Sequence, residues 1–223
     1  MFNFLYILVL IFSVNIFAET IVDSENNKYQ TIKSPHTGKI WLDRNLGAKR
    51  VCQAYNDEHC FGDYYQWGRK KDGHEKVNSK STTVLSDNAV KNHDKFIVNV
   101  LGGHRDWLTK PHNMLWQGKN GLNNPCPEGF RIPTLDELKS ESELIGLKNR
   151  NDFFTSFLKF PSAGYRFYGD NGFDYIVRKG TAGSIHSSTA YGKNSAYLYF
   201  DYMSFSGGQS RSTGNSVRCI KEN

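Results

Sequence analysis

Four cysteines, seven histidines and a late run of tyrosines are the residues of this chain best suited to chemistry. The cysteines are Cys52, Cys60, Cys126 and Cys219. An even count allows two disulfides in three pairings, and the spacing favours Cys52–Cys60 as a local clip and Cys126–Cys219 as a long-range tie. A zinc site at His59 and Cys60 would want paired C-x-x-C spacing, which is absent. His36, His59, His74, His93, His104, His112 and His186 are dispersed without an H-E-x-x-H pattern, so each is expected to sit at the surface or in a hydrogen bond. The chain carries no G-x-S-x-G elbow, no P-loop and no G-x-G-x-x-G. Paired thiols would also remove the cysteines as nucleophiles.

Two groups could bind rather than catalyse. Asp170, Asn171 and Asp174 share one hairpin turn, where clustered oxygens could hold Ca²⁺, although Asp and Asn are also simply good turn formers. No other cofactor is expected. Tyr191, Tyr197, Tyr199 and Tyr202, with Phe205, gather near the C-terminus. Tyr197 and Tyr199 fall on one face of a strand, with Leu198 on the other. That face could stack on a sugar or peptide, or it could be core.

The elements that must position these groups follow from pattern. Residues 19–46 alternate as strands do, with Thr20-Ile21-Val22 and Lys39-Ile40-Trp41-Leu42 as the clearest. Tyr64-Tyr65-Gln66-Trp67 is a compact aromatic segment. Residues 69–95 are polar and basic, and Arg69, Lys70, Lys71, Lys76 and Lys80 read as a solvated loop. Thr134 and Glu137 frame a capping box that opens a helix, with Leu135, Leu138, Leu144, Ile145 and Leu147 as its apolar residues and Gly146 at its end. A second short helix is expected over residues 152–158, with Phe153, Phe154 and Phe157 on one side. From residue 162 onward the pattern is an antiparallel meander closing the chain. Gly169-Asp170-Asn171-Gly172 forms a turn, Ser206-Gly207-Gly208-Gln209-Ser210 a connector, and Cys219 lies on the last strand.

The chain has 223 residues, 38% hydrophobic, 14% aromatic and 22% charged, which suits one folded domain in which aromatic rings supply much of the core. Its formal charge is +6 but the basic residues are scattered, so no nucleic-acid partner is expected. Residues 2–17 are almost wholly apolar, and Ala18 precedes Glu19. This reads as a signal peptide over residues 1–18, although no Lys or Arg precedes the apolar run, with no transmembrane anchor after cleavage. Residues 19–37 then form an N-terminal strand segment and residues 38–223 the main domain. The expected location is exported: periplasmic, cell-surface or secreted.

Six blocks resemble one family in order. Trp41-Leu42-Asp43-Arg44-Asn45-Leu46-Gly47 resembles the opening of the Fibrobacter succinogenes major paralogous domain. Gly62-Asp63-Tyr64-Tyr65-Gln66-Trp67-Gly68 is similar to its second block, and Cys126-Pro127-Glu128-Gly129-Phe130-Arg131-Ile132-Pro133-Thr134 to its C-P-x-G-[WF]-R-[LI]-P-T block. Pro161-Ser162-Ala163-Gly164-Tyr165-Arg166 resembles P-A-G-Y-R with Ser162 inserted. His186-Ser187-Ser188-Thr189 stands where that family has W-S-S-T, and Ser216-Val217-Arg218-Cys219-Ile220 matches its close. The resemblance implies an α+β, C-type-lectin-like fold and supports the Cys126–Cys219 pairing. The E-P-N, Q-P-D and W-N-D signatures of calcium lectins are absent. The expected function is a non-catalytic binding or interaction module of the cell envelope or extracellular space, with a glycan or envelope protein as partner. The alternatives are an enzyme on a formylglycine-generating-enzyme-like fold, or a structural component of the envelope.

Overall fold

The computed structural model describes residues 18–90, 93–99, 106–118, 120–144, 146–168 and 174–222. Residues 1–17 of the expected signal peptide and the expected turn residues Asp170 and Asn171 lie outside them. The strands are β1 (Thr20–Val22), β2 (Lys28–Lys33), β3 (Ile40–Leu42), β4 (Tyr65–Gln66), β5 (Ser81–Thr82), β6 (Phe96–Ile97), β7 (Phe130–Arg131), β8 (Tyr165–Tyr168), β9 (Asp174–Val177), β10 (Gly183–Tyr191), β11 (Asn194–Phe200), β12 (Ser204–Gln209), β13 (Gly214–Asn215) and β14 (Ile220–Lys221). Two helices, α1 (Leu135–Leu144) and α2 (Arg150–Thr155), lie between β7 and β8. The architecture is α+β and rich in sheet.

An antiparallel sheet of order β1-β2-β3-β14-β7 brings the chain's two ends together. Residues 19–37 are therefore integral to the fold, since β2 pairs with β3 through Ile32 and Trp41. Strand alternation gives this sheet two apolar faces. Leu42 and Cys219 pack with Trp67, Trp116 and Phe130, whereas Trp41 and Ile220 pack with Leu138, Phe153, Ile185 and Phe200. Phe153 of α2 stacks flat on Phe200 of β11, with centroids 4.1 Å apart. Both disulfides form, Cys52–Cys60 and Cys126–Cys219, and no cysteine is free. They fit an oxidising, exported environment.

The motif blocks knit this frame. The Leu46 amide donates to the Val217 carbonyl at 3.0 Å, and Asp63 N donates to Leu46 O at 2.9 Å. Trp67 Nε1 donates to Ser187 O at 2.9 Å, and Ser188 N to Pro133 O at 2.8 Å. Gly47 has φ +76°, and a Cβ there would lie 2.1 Å from the Asp63 carboxylate, so only glycine fits.

Several sequence expectations change. Residues 69–95 are mostly irregular, with β5 as their strand among the described residues, but their first part, through Lys76, is not a solvated loop. Arg69, His74 and Glu75 are buried, Arg69 pairs with Asp72 at 2.9 Å, and Lys71 pairs with both Asp23 and Glu25. Lys76 bridges Glu25 and Asp63. Lys71 and Lys76 are thus paired with acids distant in sequence, which local charge counting cannot see, whereas Arg69 pairs with nearby Asp72. The helix α1 has its capping box, with Glu137 N donating to Thr134 Oγ1 at 3.2 Å and Thr134 N to Glu137 at 2.9 Å. Its buried face, however, is Leu138, Glu141 and Ser142, while Leu144 is 64% exposed. Glu141 is buried because Ser34 and Thr37 hydroxyls donate to it. Ile145 lies outside the described residues. The second helix starts at Arg150 because Asn149 and Asp152 form a capping box there.

The glycine-rich segment over residues 206–210 is mostly strand, not connector. Its β12 pairs along its length with β11, and a Cβ at Gly208 would meet the Tyr191 ring at 2.5 Å. Ring coverage and a full ladder outweigh poor local propensity. The chain also does not close in the meander. Residues 214–215 join β4 and β8, and β14 pairs with β3 and β7, with Cys219 just before it.

Candidate ligand-binding cleft

A cavity of about 550 Å³ opens where the β8–β9 hairpin meets the β10-β11-β12 sheet. That size is typical of small-ligand sites, roughly 300–1,000 Å³. Each wall comes from strand alternation. On β8, Tyr165 and Phe167 point into the cleft while Arg166 turns inward to the Phe96 ring. On β11, Tyr197 and Tyr199 line the cleft while Leu198 joins the core. Phe205 of β12 packs against both, with centroids 6.2 Å from Tyr197 and 4.9 Å from Tyr199. Tyr165 and Phe167 meet edge to face at 6.4 Å.

One ion pair sits in this aromatic lining. Arg178 follows β9 with φ +56°, a left-handed turn unusual for a non-glycine residue, and its guanidinium lies 3.3 Å from the Asp201 carboxylate. Tyr199 donates its hydroxyl to Asp201 at 2.9 Å. Burial would raise the Asp201 carboxyl, but the Met203 amide, the Tyr199 hydroxyl and Arg178 together hold it below its ordinary value. Burial and the Asp201 carboxylate push the Tyr199 phenol up, and burial does the same to Tyr165 and Tyr197, so all three stay neutral. The Tyr165 and Tyr197 hydroxyls make no hydrogen bond among the described residues. Among the residues lining the cleft, Asp201 is the one carboxylate, and no histidine or cysteine is present.

Of the sequence candidates, Tyr197, Tyr199 and Tyr202 line this one cleft. Tyr202, 76% exposed, stands at the mouth with its ring 5.0 Å from the Arg150 guanidinium. Tyr191 lies outside it, over Gly208. Asp174 accepts from Arg166 Nε at 2.6 Å and from the Ser81 hydroxyl at 2.7 Å, so it serves an ion pair that anchors β9. Tyr165, Phe167, Arg178 and Asp201 were not singled out from sequence. The alternation Tyr165-Arg166-Phe167 was a readable signal for the first two, whereas Arg178 and Asp201 meet only through the fold.

Asp72, His74 and Glu75 are the other chemically suggestive group, close enough to hold a metal ion. The hydrogen bonds argue against one. His74 Nε2 accepts from the Gln66 amide at 3.1 Å, which leaves the proton on Nδ1, 2.5 Å from Asp72. Neither ring nitrogen then offers a lone pair, and the Arg69 guanidinium already supplies the positive charge. His186 is buried too, donating from Nε2 to the Tyr65 carbonyl at 2.9 Å and packing on Trp116. Compared with known protein families, with curated proteins and with solved structures, the chain matches none of them.

Proposed function

We propose that this is an exported, non-catalytic binding module with a C-type-lectin-like fold, of the kind the Fibrobacter succinogenes major paralogous motifs suggest. The observation that carries this reading is the aromatic cleft. It has the size and mixed apolar–polar lining of a ligand site, and its lining holds one carboxylate and no histidine or cysteine among the described residues. The pairing of all four cysteines supports it, because a formylglycine-generating mechanism would need a reactive thiol. Protein recovered from its export compartment would be mixed with glycan arrays, insoluble cell-wall material and envelope extracts. Saturable retention by one of these, weakened by Tyr199→Ala, supports the module. No retention by any of them overturns it.

A structural role in the envelope is the second reading, favoured by the outer edge of β12. That strand, Ser-Phe-Ser-Gly-Gly-Gln, is the last in its sheet and carries no charge or proline to discourage strand addition. Self-association abolished by a Ser206→Lys substitution would favour this role.

A further inference from the structure

We propose that the cleft holds an uncharged pyranose unit of a glycan between the β8 and β11 rings, without calcium. This rests on the binding-module reading and names its ligand class. The first argument is shape. Tyr165 and Phe167 of β8 and Tyr197 and Tyr199 of β11 line one shared space with Phe205 of β12. A sugar ring offers apolar C–H faces to such rings and hydroxyls at its rim.

The second argument is charge. Arg178 and Asp201, the one cation and the one anion among the residues lining the cleft, are already paired. Their charges cancel, so an ionic ligand would have to break that pair, whereas hydroxyls can bond to its outer atoms. A single carboxylate is also far from the six to eight oxygens that Ca²⁺ takes.

The third argument concerns unused hydrogen-bonding groups. The Tyr165 and Tyr197 hydroxyls, on two residues that line the cleft, bond to none of the described residues. A ligand with several hydroxyls would satisfy them. A peptide strand would instead seek backbone partners. The two strands that carry the four rings have few to give, since β8 lies between β13 and β9, and β11 between β10 and β12, and the open edges belong to β9 and β12.

Calorimetry of the whole exported protein against cellohexaose, chitohexaose and mannohexaose, with EDTA present, tests this. Saturable binding to at least one is expected, weakened about tenfold or more by Tyr197→Ala and by Tyr165→Ala, and unchanged by Tyr175→Ala. Tyr175 is exposed on β9 outside the cleft. Should an alanine variant fail to fold, Tyr197→Phe and Tyr165→Phe keep the rings and remove the hydroxyls, and a loss of about threefold is expected. Three results overturn the proposal: no binding to any of the hexasaccharides, binding that EDTA abolishes, or binding that the cleft substitutions leave intact. A parallel arm uses a library of unstructured decapeptides. Saturable peptide binding with no sugar binding overturns the ligand class while sparing the module. Failure of both arms counts against the module as well.

Discussion

At the scale of single residues, the polar side chains of the motif blocks are mostly structural. Asn45 is fully buried, gives its amide to the Phe61 carbonyl at 3.1 Å and accepts from Arg218 Nε at 3.2 Å. Arg218 lies over the Phe160 ring, donates to Leu158 O at 2.8 Å, and has no acid in a salt bridge with it among the described residues. Burial pulls its guanidinium down to about 9. Among the described residues, Asn45 is thus the one side chain that accepts from this cation. Asn45→Ala would leave the Arg218 Nε without its acceptor, while the Phe61 carbonyl keeps the Ser216 hydroxyl at 3.4 Å. We expect urea unfolding to report a loss of about 1–3 kcal/mol, the usual cost of one orphaned buried donor. A loss below about 1 kcal/mol would mean that Arg218 finds another acceptor.

At the scale of elements, local signals were legible and long-range ones were not. The capping box at Thr134 was readable because it spans four residues. The cleft tyrosines Tyr197 and Tyr199 were readable because a strand repeats every two. Strand β12 and the ion pairs of residues 69–76 were hidden, because they depend on Tyr191, Asp23 and Asp63, which lie elsewhere in the chain. Glu137 combines both kinds. It caps α1, and it also accepts from Arg131 at 2.6 Å and from Lys39 at 3.1 Å. Burial would raise its carboxyl, yet these partners hold it down at about 2. Thr134→Ala should therefore cost about 1 kcal/mol, the usual worth of a cap. Glu137→Ala should cost about twice that or more, since charge-assisted bonds are lost with it. Equal losses in chemical denaturation would show that the Arg131 and Lys39 pairs contribute little.

At the scale of the whole molecule, two constraints hold the frame, and each has a measurable signature. Cys126–Cys219 closes a loop of sequence separation 93, so its removal should cost about 4–5 kcal/mol. Cys52–Cys60, with separation 8, should cost less than about 3 kcal/mol. Double-alanine variants compared in urea would give that order, and the reverse order would mean that strain rather than chain entropy dominates. The second constraint is the burial of neutral histidines. Burial pulls His74 and His186 down to about 3, with Arg69 adding to the effect on His74. The unfolded chain binds a proton at each below about 6.5, while the folded chain binds none until near 3. Their stability is therefore complete above about 6.5 and lost as pH falls, at about 1.4 kcal/mol per pH unit for each proton. Asp63 acts in the opposite sense. Burial raises it to about 6 despite Lys76, so between about 6 and 4 the folded chain binds a proton there that the unfolded chain does not. One histidine is thereby offset, and the expected net loss over that range is about 1.4 kcal/mol per pH unit. Asp63→Asn should steepen it to about twice that, and His186→Gln should flatten it. Urea midpoints taken at pH 7, 6, 5 and 4.5 would separate the three proteins. Parallel slopes for the native chain and Asp63→Asn would mean that the Lys76 pair keeps the Asp63 carboxylate ionised in the folded state.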